Sequence, residues 1–190
     1  MEDLKTHINL TGASGTGKTT LLKALVKEFP DLRTNTNVIR DIIKDRNISV
    51  NETSTAVSQK IIFDVYMDFL LRNKGLDYIS DRCIIDPLAY TMVQVKHGKI
   101  DKKLLDSQWT AVKLAVRSFY LNTVFYCPIE FDMEADGIRS ENPDFRVETD
   151  CAIQSILTAL KKEFPYFTVI PLTGSVEERV SAIKKNLEKE

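Results

Sequence analysis

The chain has 190 residues, of which 43% are hydrophobic and 28% are charged, which is the balance of a water-soluble globular protein. Acidic and basic residues nearly cancel to a net charge of −1, so the chain lacks the overall positive field that holds nucleic acid, and a nucleic-acid partner is disfavoured. No stretch approaches the roughly 18 apolar residues of a membrane span, and we expect neither a signal peptide nor membrane attachment, but a cytoplasmic protein.

Apolar runs alternate along the chain with segments whose apolar residues recur at helical spacing. The predicted strands cover residues 7–11, 32–38, 76–80, 123–127 and 167–170. The predicted helices cover residues 21–29, 53–73, 87–96, 101–119 and 147–164, and a last helix begins after Ser175, which forms a capping box with Glu178. Strands separated by helices predict an α/β fold with a parallel sheet covered by helices on both faces. No linker-like segment divides the sequence, so we predict one domain over residues 1–190.

The first predicted strand runs directly into a full match to G-x-x-x-x-G-K-[ST], the P-loop motif, and an amphipathic helix follows it. The glycines let consecutive N–H groups point at phosphate oxygens, and the helix N-terminus adds partial positive charge. Lys18 is predicted to contact the β- and γ-phosphates of ATP, and Thr19 to bind Mg²⁺. The glycine spacing does not fit the dinucleotide-binding motif. The predicted ATP-binding residues of this segment are Gly12, Ala13, Ser14, Gly15, Thr16, Gly17, Lys18, Thr19 and Thr20.

The P-loop alone is consistent with three classes of protein, namely a GTPase, a motor ATPase and a kinase. A GTPase is disfavoured because none of the seven glycines follows an Asp by three positions, and the guanine-reading N-K-x-D pattern is absent. A motor ATPase is disfavoured because no predicted strand ends in adjacent acids. No His or Cys cluster has metal-ligand spacing, and the three scattered cysteines (Cys83, Cys127 and Cys151) are expected to be reduced thiols. A kinase needs a carboxylate near the acceptor and arginines around the phosphates, and the sequence offers both.

The candidate carboxylate is Asp81, which follows a predicted strand and is itself followed by Arg82. At the carboxyl end of the sheet, Asp81 would orient Mg²⁺ or accept the proton of an acceptor hydroxyl. The alternative is an Asp that only ends a strand or caps the next helix.

The candidate phosphate-binding arginines are Arg139 and Arg146, in an irregular segment from about residue 129 to residue 146 that contains Asp136, Gly137 and Ile138. Such a segment suits a lid that excludes water from the transferring phosphate. The alternative is a solvated loop whose arginines pair with neighbouring acids.

Two further segments are candidates for binding the substrates. Arg40 and Asp41 follow the second predicted strand, where an acceptor would lie, although charges on a helix surface explain them equally well. Gly174, in the loop between the last strand and the last helix, is predicted to flank the adenine; the alternative is a plain capped turn.

Taken in order, the P-loop, Arg40-Asp41, Asp81-Arg82 and the stretch Ala-Asp-Gly-Ile-Arg-Ser at 135–140 resemble the P-loop kinase family that includes the ribosylnicotinamide kinase domain of the bacterial NAD regulator, and more widely nucleoside and nucleotide monophosphate kinases. The resemblance covers nearly the whole chain. It implies a three-layer P-loop fold with a five-stranded parallel sheet, Mg·ATP as donor, hydroxyl activation near Asp81, and lid arginines at Arg139 and Arg146.

The sequence departs from this family near Arg40, where members often carry a Glu and this chain has only Asn37. An amide can bond a sugar hydroxyl but cannot take its proton. Asp81-Arg82 is similar to the D-R pair of thymidylate and deoxynucleoside kinases, and an arginine there can bind an acceptor phosphate.

We therefore predict a kinase whose acceptor is a small nucleotide or nucleoside, with a deoxynucleoside monophosphate favoured and a nucleoside or ribosylnicotinamide next. Predicted catalytic residues are Lys18, Asp81, Arg139 and Arg146; predicted acceptor-binding residues are Asn37, Arg40, Asp41 and Arg82; predicted metal ligands are Thr19 and Asp81. The alternatives are a regulatory protein that binds nucleotide and hydrolyses it weakly, and a kinase for a DNA hydroxyl. The 101–119 helix with Trp109 suits either the core or a homodimer interface.

Overall fold

A five-stranded parallel sheet forms the centre of the computed structural model, which describes residues 5–35, 48–132 and 142–188. Its strands are β1 (His7–Thr11), β2 (Arg33–Thr34), β3 (Tyr78–Ser80), β4 (Thr123–Tyr126) and β5 (Thr168–Pro171). They lie in the order β2-β3-β1-β4-β5, and every neighbouring pair is parallel. The predicted parallel α/β sheet is confirmed.

Helices connect these strands and cover both faces of the sheet. In the described residues they are α1 (Lys18–Glu28), α2 (Ala56–Asn73), α3 (Ile85–Lys96), α4 (Lys102–Arg117), α5 (Pro143–Glu163) and α6 (Val176–Leu187). A 3₁₀ turn, Asn51–Thr53, precedes α2. No helix in the described ranges is long and apolar enough to cross a membrane.

Alternation of side chains along the strands creates two hydrophobic clusters, one on each face of the sheet. Leu10 of β1 and its β4 neighbour Phe125 face α1 and α6. Val124 and Tyr126 of β4 face α2 to α5 on the other side. The three-layer P-loop fold predicted from the resemblance is therefore confirmed. Trp109 packs against the second cluster and is half-buried.

Several element boundaries differ from the prediction because capping and turns decide where elements begin. Helix α5 begins at Pro143, not at residue 147, because the Asn142 side chain accepts hydrogen bonds from the next backbone N–H groups and Pro143 occupies the first turn. Helix α2 begins after Thr55, which forms a capping box with Ser58. Strand β3 begins only at Tyr78, because the N–H of residue 76 bonds back to α2 in a turn.

The carboxyl ends of the parallel strands meet at one edge of the sheet. The P-loop leaves β1 there, Asp81 follows β3, residues 127–132 follow β4, and the 172–175 loop follows β5. Four segments that are distant in sequence and carry polar residues therefore lie together at the carboxyl edge of the sheet.

Ser175 caps the last helix, α6, because its side-chain oxygen accepts a hydrogen bond from the Glu178 N–H at 3.2 Å. The contribution of this cap to stability can be tested by substitution. We expect Ser175→Ala to lower the free energy of unfolding by about 1 kcal/mol in urea denaturation. The matched control is Ser181→Ala, an exposed position on the same helix, where we expect a change within about 0.5 kcal/mol. Equal losses in the two variants would contradict a capping role.

Candidate nucleotide-binding site

The P-loop begins at Gly12, where the chain leaves β1 and passes directly against the residue after β4. Gly12 has φ +149°, and a Cβ atom at this position would overlap the Cys127 carbonyl oxygen. Only glycine fits this close approach. The loop then turns into α1, whose first residue is Lys18.

Lys18 folds back onto its own loop. Its ammonium donates hydrogen bonds to the carbonyls of Gly12 at 2.7 Å and Ala13 at 2.5 Å, and to the Thr16 hydroxyl at 3.0 Å. Burial, with help from the neighbouring Arg82, lowers its pKa from 10.5 to about 8. The side chain is therefore mostly protonated at neutral pH, with its charge next to the predicted phosphate site.

Two arginines from distant helices hold the next carbonyls of the loop. Arg146 of α5 donates to Ser14 O at 2.8 Å and Gly15 O at 3.2 Å, and Arg179 of α6 donates to Thr16 O at 2.8 Å. The carbonyl and the following N–H of a trans peptide point in opposite directions. Holding these carbonyls on one side therefore turns the following N–H groups to the other side, where an anion can bind.

The predicted metal ligands lie together at the sheet edge. The Thr19 hydroxyl donates to Asp81 Oδ2 at 3.3 Å, and Asp81 Oδ1 is buried without a hydrogen-bond partner among the described residues. Asn35 orients this segment, because its side-chain oxygen accepts the Asp81 N–H at 2.8 Å. A hydroxyl oxygen and an unpaired carboxylate oxygen are ligands that Mg²⁺ prefers, so these residues fit the ion.

Asp86 is a site residue that the sequence analysis missed. Its buried carboxylate accepts hydrogen bonds from the Thr11 hydroxyl at 2.9 Å, the Gly12 N–H at 3.4 Å and the Cys83 N–H at 3.1 Å. It also accepts one from Arg82 Nη1 at 2.9 Å. Asp86 thus joins the start of the P-loop to the segment after β3. Its position four residues after Arg82, in the first turn of a helix, was the signal available in the sequence.

Arg82, predicted to bind the acceptor, is already bonded within the protein. Besides its ion pair with Asp86, its Nη1 lies 3.4 Å from Gly12 O, and its guanidinium lies over the Tyr90 ring, 5.9 Å from the centroid. Arg82 therefore links the segment after β3 to the start of the P-loop, next to the predicted phosphate site.

Arg146 is not part of an irregular lid segment, contrary to the sequence prediction. Residues 143–146 belong to α5, and the Arg146 side chain is 7% exposed and bonded to the P-loop. The cause is the cap at Asn142, which begins the helix earlier than predicted. Of the predicted lid, residues 129–132 are irregular, and Asp136, Gly137, Ile138 and Arg139 lie outside the described residues.

The acceptor-side candidates Asn37, Arg40 and Asp41 also lie outside the described residues.

Gly174 lies in the loop after β5, as predicted, with φ +80°. Its N–H donates to both carboxylate oxygens of Glu130, at 3.2 and 3.1 Å. Glu130 and Arg179 were both missed, because nothing in the local pattern connects residues so far apart in sequence.

The order of the strands in the sheet, together with the P-loop after β1, defines a P-loop nucleoside-triphosphate-binding fold. A sequence profile of the family described as AAA domain matches residues 7–179, so the chain belongs to that family. Among curated proteins, no sequence matches the chain significantly.

Several solved structures resemble the chain in fold at low sequence identity. The deoxyadenosine kinase of M. mycoides, with products dCMP and a flexible dCDP bound, has a TM-score of 0.65 and 12% identity over 97% of this chain and 100% of that one. NadR in complex with NR has a TM-score of 0.70 and 16% identity over 97% of this chain, which spans about half (51%) of NadR. Thymidylate kinase from Candida albicans has a TM-score of 0.62 and 12% identity over 97% of this chain and 92% of that one. The predicted resemblance to this group is confirmed at the level of the fold.

The Asp86 contacts lead to a test on nucleotide binding. The Asp86 carboxylate accepts hydrogen bonds from four donors, and Asp86→Asn would place the NH₂ group of an amide among them. We expect the Kd for ATP to rise at least about tenfold, which is the scale of losing a hydrogen bond to a charged group. The measurement is calorimetric titration with ATP at a temperature at which circular dichroism shows both proteins folded.

The matched control is Asp77→Asn. Asp77 also accepts a backbone N–H, that of Thr6 at 2.7 Å, but at the opposite edge of the sheet. We expect its Kd for ATP to stay within about twofold of wild type, since positions that share no partners act independently. An Asp86→Asn protein that binds ATP as well as Asp77→Asn does would contradict the role of Asp86.

Proposed function

We propose that the chain is an ATP-dependent phosphotransferase that moves the γ-phosphate to a small nucleoside-type or nucleotide-type acceptor. The observation that carries this proposal is the position of Asp81 beside Thr19 of the P-loop, with a buried oxygen that has no partner in the part of the chain that the structure describes. A carboxylate in that position next to a triphosphate site can serve phosphoryl transfer. The kinase structures that share the fold support the same class of reaction.

On the donor side, the N–H groups of the P-loop and the Lys18 ammonium would bind the ATP phosphates. Lys18 must leave the Gly12 and Ala13 carbonyls to do so, and its long flexible side chain allows this movement. Thr19 and Asp81 would hold Mg²⁺, which supplies positive charge against the phosphate oxygens when bound.

On the acceptor side, the alternative role of Asp81 is to accept the proton of an acceptor hydroxyl, and Arg82 would stabilise charge on the transferring group. The ion pair of Arg82 with Asp86 supports a nucleoside hydroxyl as acceptor more than a monophosphate, because one edge of the guanidinium is already engaged. The structures that share the fold include a deoxyadenosine kinase and NadR bound to NR, which supports testing nucleosides and ribosylnicotinamide first. A cytoplasmic location, a homodimer and roles for Arg40 and Arg139 stay predictions from the sequence.

The test is ADP release from Mg·ATP with a panel of deoxynucleosides, nucleosides, their monophosphates and ribosylnicotinamide. We expect one acceptor class to stimulate turnover strongly. Lys18→Ala and Asp81→Asn should each lower kcat at least about 100-fold, the scale of removing a group that stabilises the transition state. Circular dichroism should show that both variants stay folded.

The matched control is Asp106→Asn, an exposed carboxylate on α4, which should keep wild-type kcat. Full turnover in Asp81→Asn would contradict the proposed mechanism. Tight ATP binding without stimulation by any acceptor would instead favour a nucleotide-binding regulatory protein, or an acceptor on DNA.

A further inference from the structure

One guanidinium joins the P-loop to two other loops at the same edge of the sheet. Arg179, only 3% exposed, donates from Nη1 to Thr16 O at 2.8 Å, from Nε to Gly174 O at 3.2 Å, and from Nη2 to Glu130 Oε2 at 2.5 Å. Each of the three guanidinium nitrogens of Arg179 therefore donates to an acceptor of the protein. Arginine suits this position because its donors are fixed in one plane and can bond three different groups.

Glu130 completes the connection from the other side. Its carboxylate accepts the Gly174 N–H as well as the Arg179 bond, so both backbone polar groups of Gly174 are held by this ion pair. A side chain at position 174 would overlap the Glu178 carboxylate, and the φ of +80° also disfavours any residue except glycine. The 172–175 loop is therefore held in one place by Glu130 and Arg179, which we call the Glu130–Arg179 bridge.

The two loops joined by the bridge are predicted to contact different parts of one nucleotide. Thr16 belongs to the loop predicted to bind the phosphates, and Gly174 belongs to the loop predicted to flank the base. The distance between these two parts is fixed by the covalent structure of a nucleoside triphosphate. A rigid connection between the loops therefore favours a ligand that fills both positions at once, because it needs no ordering of either loop on binding.

We infer that Glu130 and Arg179 are positioning residues that set the base-flanking loop against the P-loop, and so make the site selective for a base-bearing triphosphate over bare polyphosphate. This inference rests on the proposed function, since it assumes that the donor nucleotide binds along this edge. Neither residue needs to touch the nucleotide. Arg179 acts through the Thr16 and Gly174 carbonyls, and Glu130 acts through Arg179 and the Gly174 N–H.

The two residues should differ in effect, because only Arg179 contacts the P-loop. Glu130→Ala removes the acceptor of the Gly174 N–H but leaves the Arg179 contact with Thr16. We expect its Kd for ATP to rise about tenfold, the scale of losing a hydrogen bond to a charged group, while its Kd for inorganic tripolyphosphate stays within about twofold. Arg179→Lys keeps the charge but cannot bond three acceptors, so affinity for both ligands should fall.

The experiment is calorimetric titration of the full chain with ATP and with tripolyphosphate, together with thermal denaturation of each variant. The matched control is Glu163→Ala, which removes a surface glutamate paired with Lys113 at 3.0 Å, far from the P-loop. It should leave both Kd values unchanged. A purely structural role for the bridge predicts that Glu130→Ala lowers the melting temperature and weakens both ligands by the same factor, and that result would overturn the inference.

The wild-type protein separates failure of this inference from failure of the proposed function. If wild type binds ATP more tightly than tripolyphosphate and Glu130→Ala keeps that preference, the bridge has no role in selectivity, whatever the protein catalyses. If wild type shows this preference, Glu130→Ala loses it and no acceptor stimulates turnover, the phosphotransferase proposal fails while the role of the bridge in selectivity is supported. Equal affinity of wild type for both ligands would overturn the inference directly.

Discussion

Cationic side chains hold the backbone carbonyls of five consecutive P-loop residues, 12–16, and the nucleotide site depends on this arrangement. Lys18 comes from the loop itself, but Arg146 comes from α5 and Arg179 from α6. Each arginine is nearly buried, and its desolvation is offset by several hydrogen bonds to carbonyl oxygens. Helices α5 and α6 pack on opposite faces of the sheet and bring these two arginines to the loop from both sides. Their bonds fix the loop in a shape that presents N–H groups to an anion.

Two buried or partly buried ion pairs lie at opposite ends of the loop. Asp86 pairs with Arg82 at 2.9 Å beside Gly12, and Glu130 pairs with Arg179 at 2.5 Å beside Thr16. Arg82 and Arg179 are therefore held in fixed positions beside the loop. Preorganised charge of this kind suits the proposed phosphoryl transfer, because the site need not reorganise when charge develops on the transferring group.

The sequence was sufficient to predict the parts of the molecule that local patterns determine. Short apolar runs placed the strands, a full motif placed Lys18 and Thr19, and a carboxylate after a strand placed Asp81 at the correct edge of the sheet. The parallel direction of the strands and the helix layers on both faces follow from the alternation of strands and helices along the chain. Boundaries were less accurate where a single cap decides them, as at Asn142 and Thr55.

The contacts that shape the loop could not be predicted, for a physical reason. Arg146 and Arg179 bond carbonyls that lie 132 and 163 residues away from them in sequence. A backbone carbonyl leaves no signature in the sequence, so neither partner of such a bond indicates the other. The ion pair of Asp86 with Arg82 could have been predicted, because the two residues have the four-residue spacing of a helical ion pair. The hydrogen bonds of Asp86 with Thr11 and Gly12 could not, because they depend on the tertiary fold.

Because Arg146 and Arg179 hold the loop carbonyls, the loop should bind phosphate without changing the shape of its backbone. The most direct test is a pair of crystal structures in one crystal form, with and without a non-hydrolysable ATP analogue. We predict that the peptide planes of residues 12–17 keep their orientation, that Arg146 and Arg179 keep their carbonyl bonds, and that only the Lys18 side chain moves to the phosphates. Peptide planes that flip on binding, or arginines that leave the loop for the phosphates, would contradict the account.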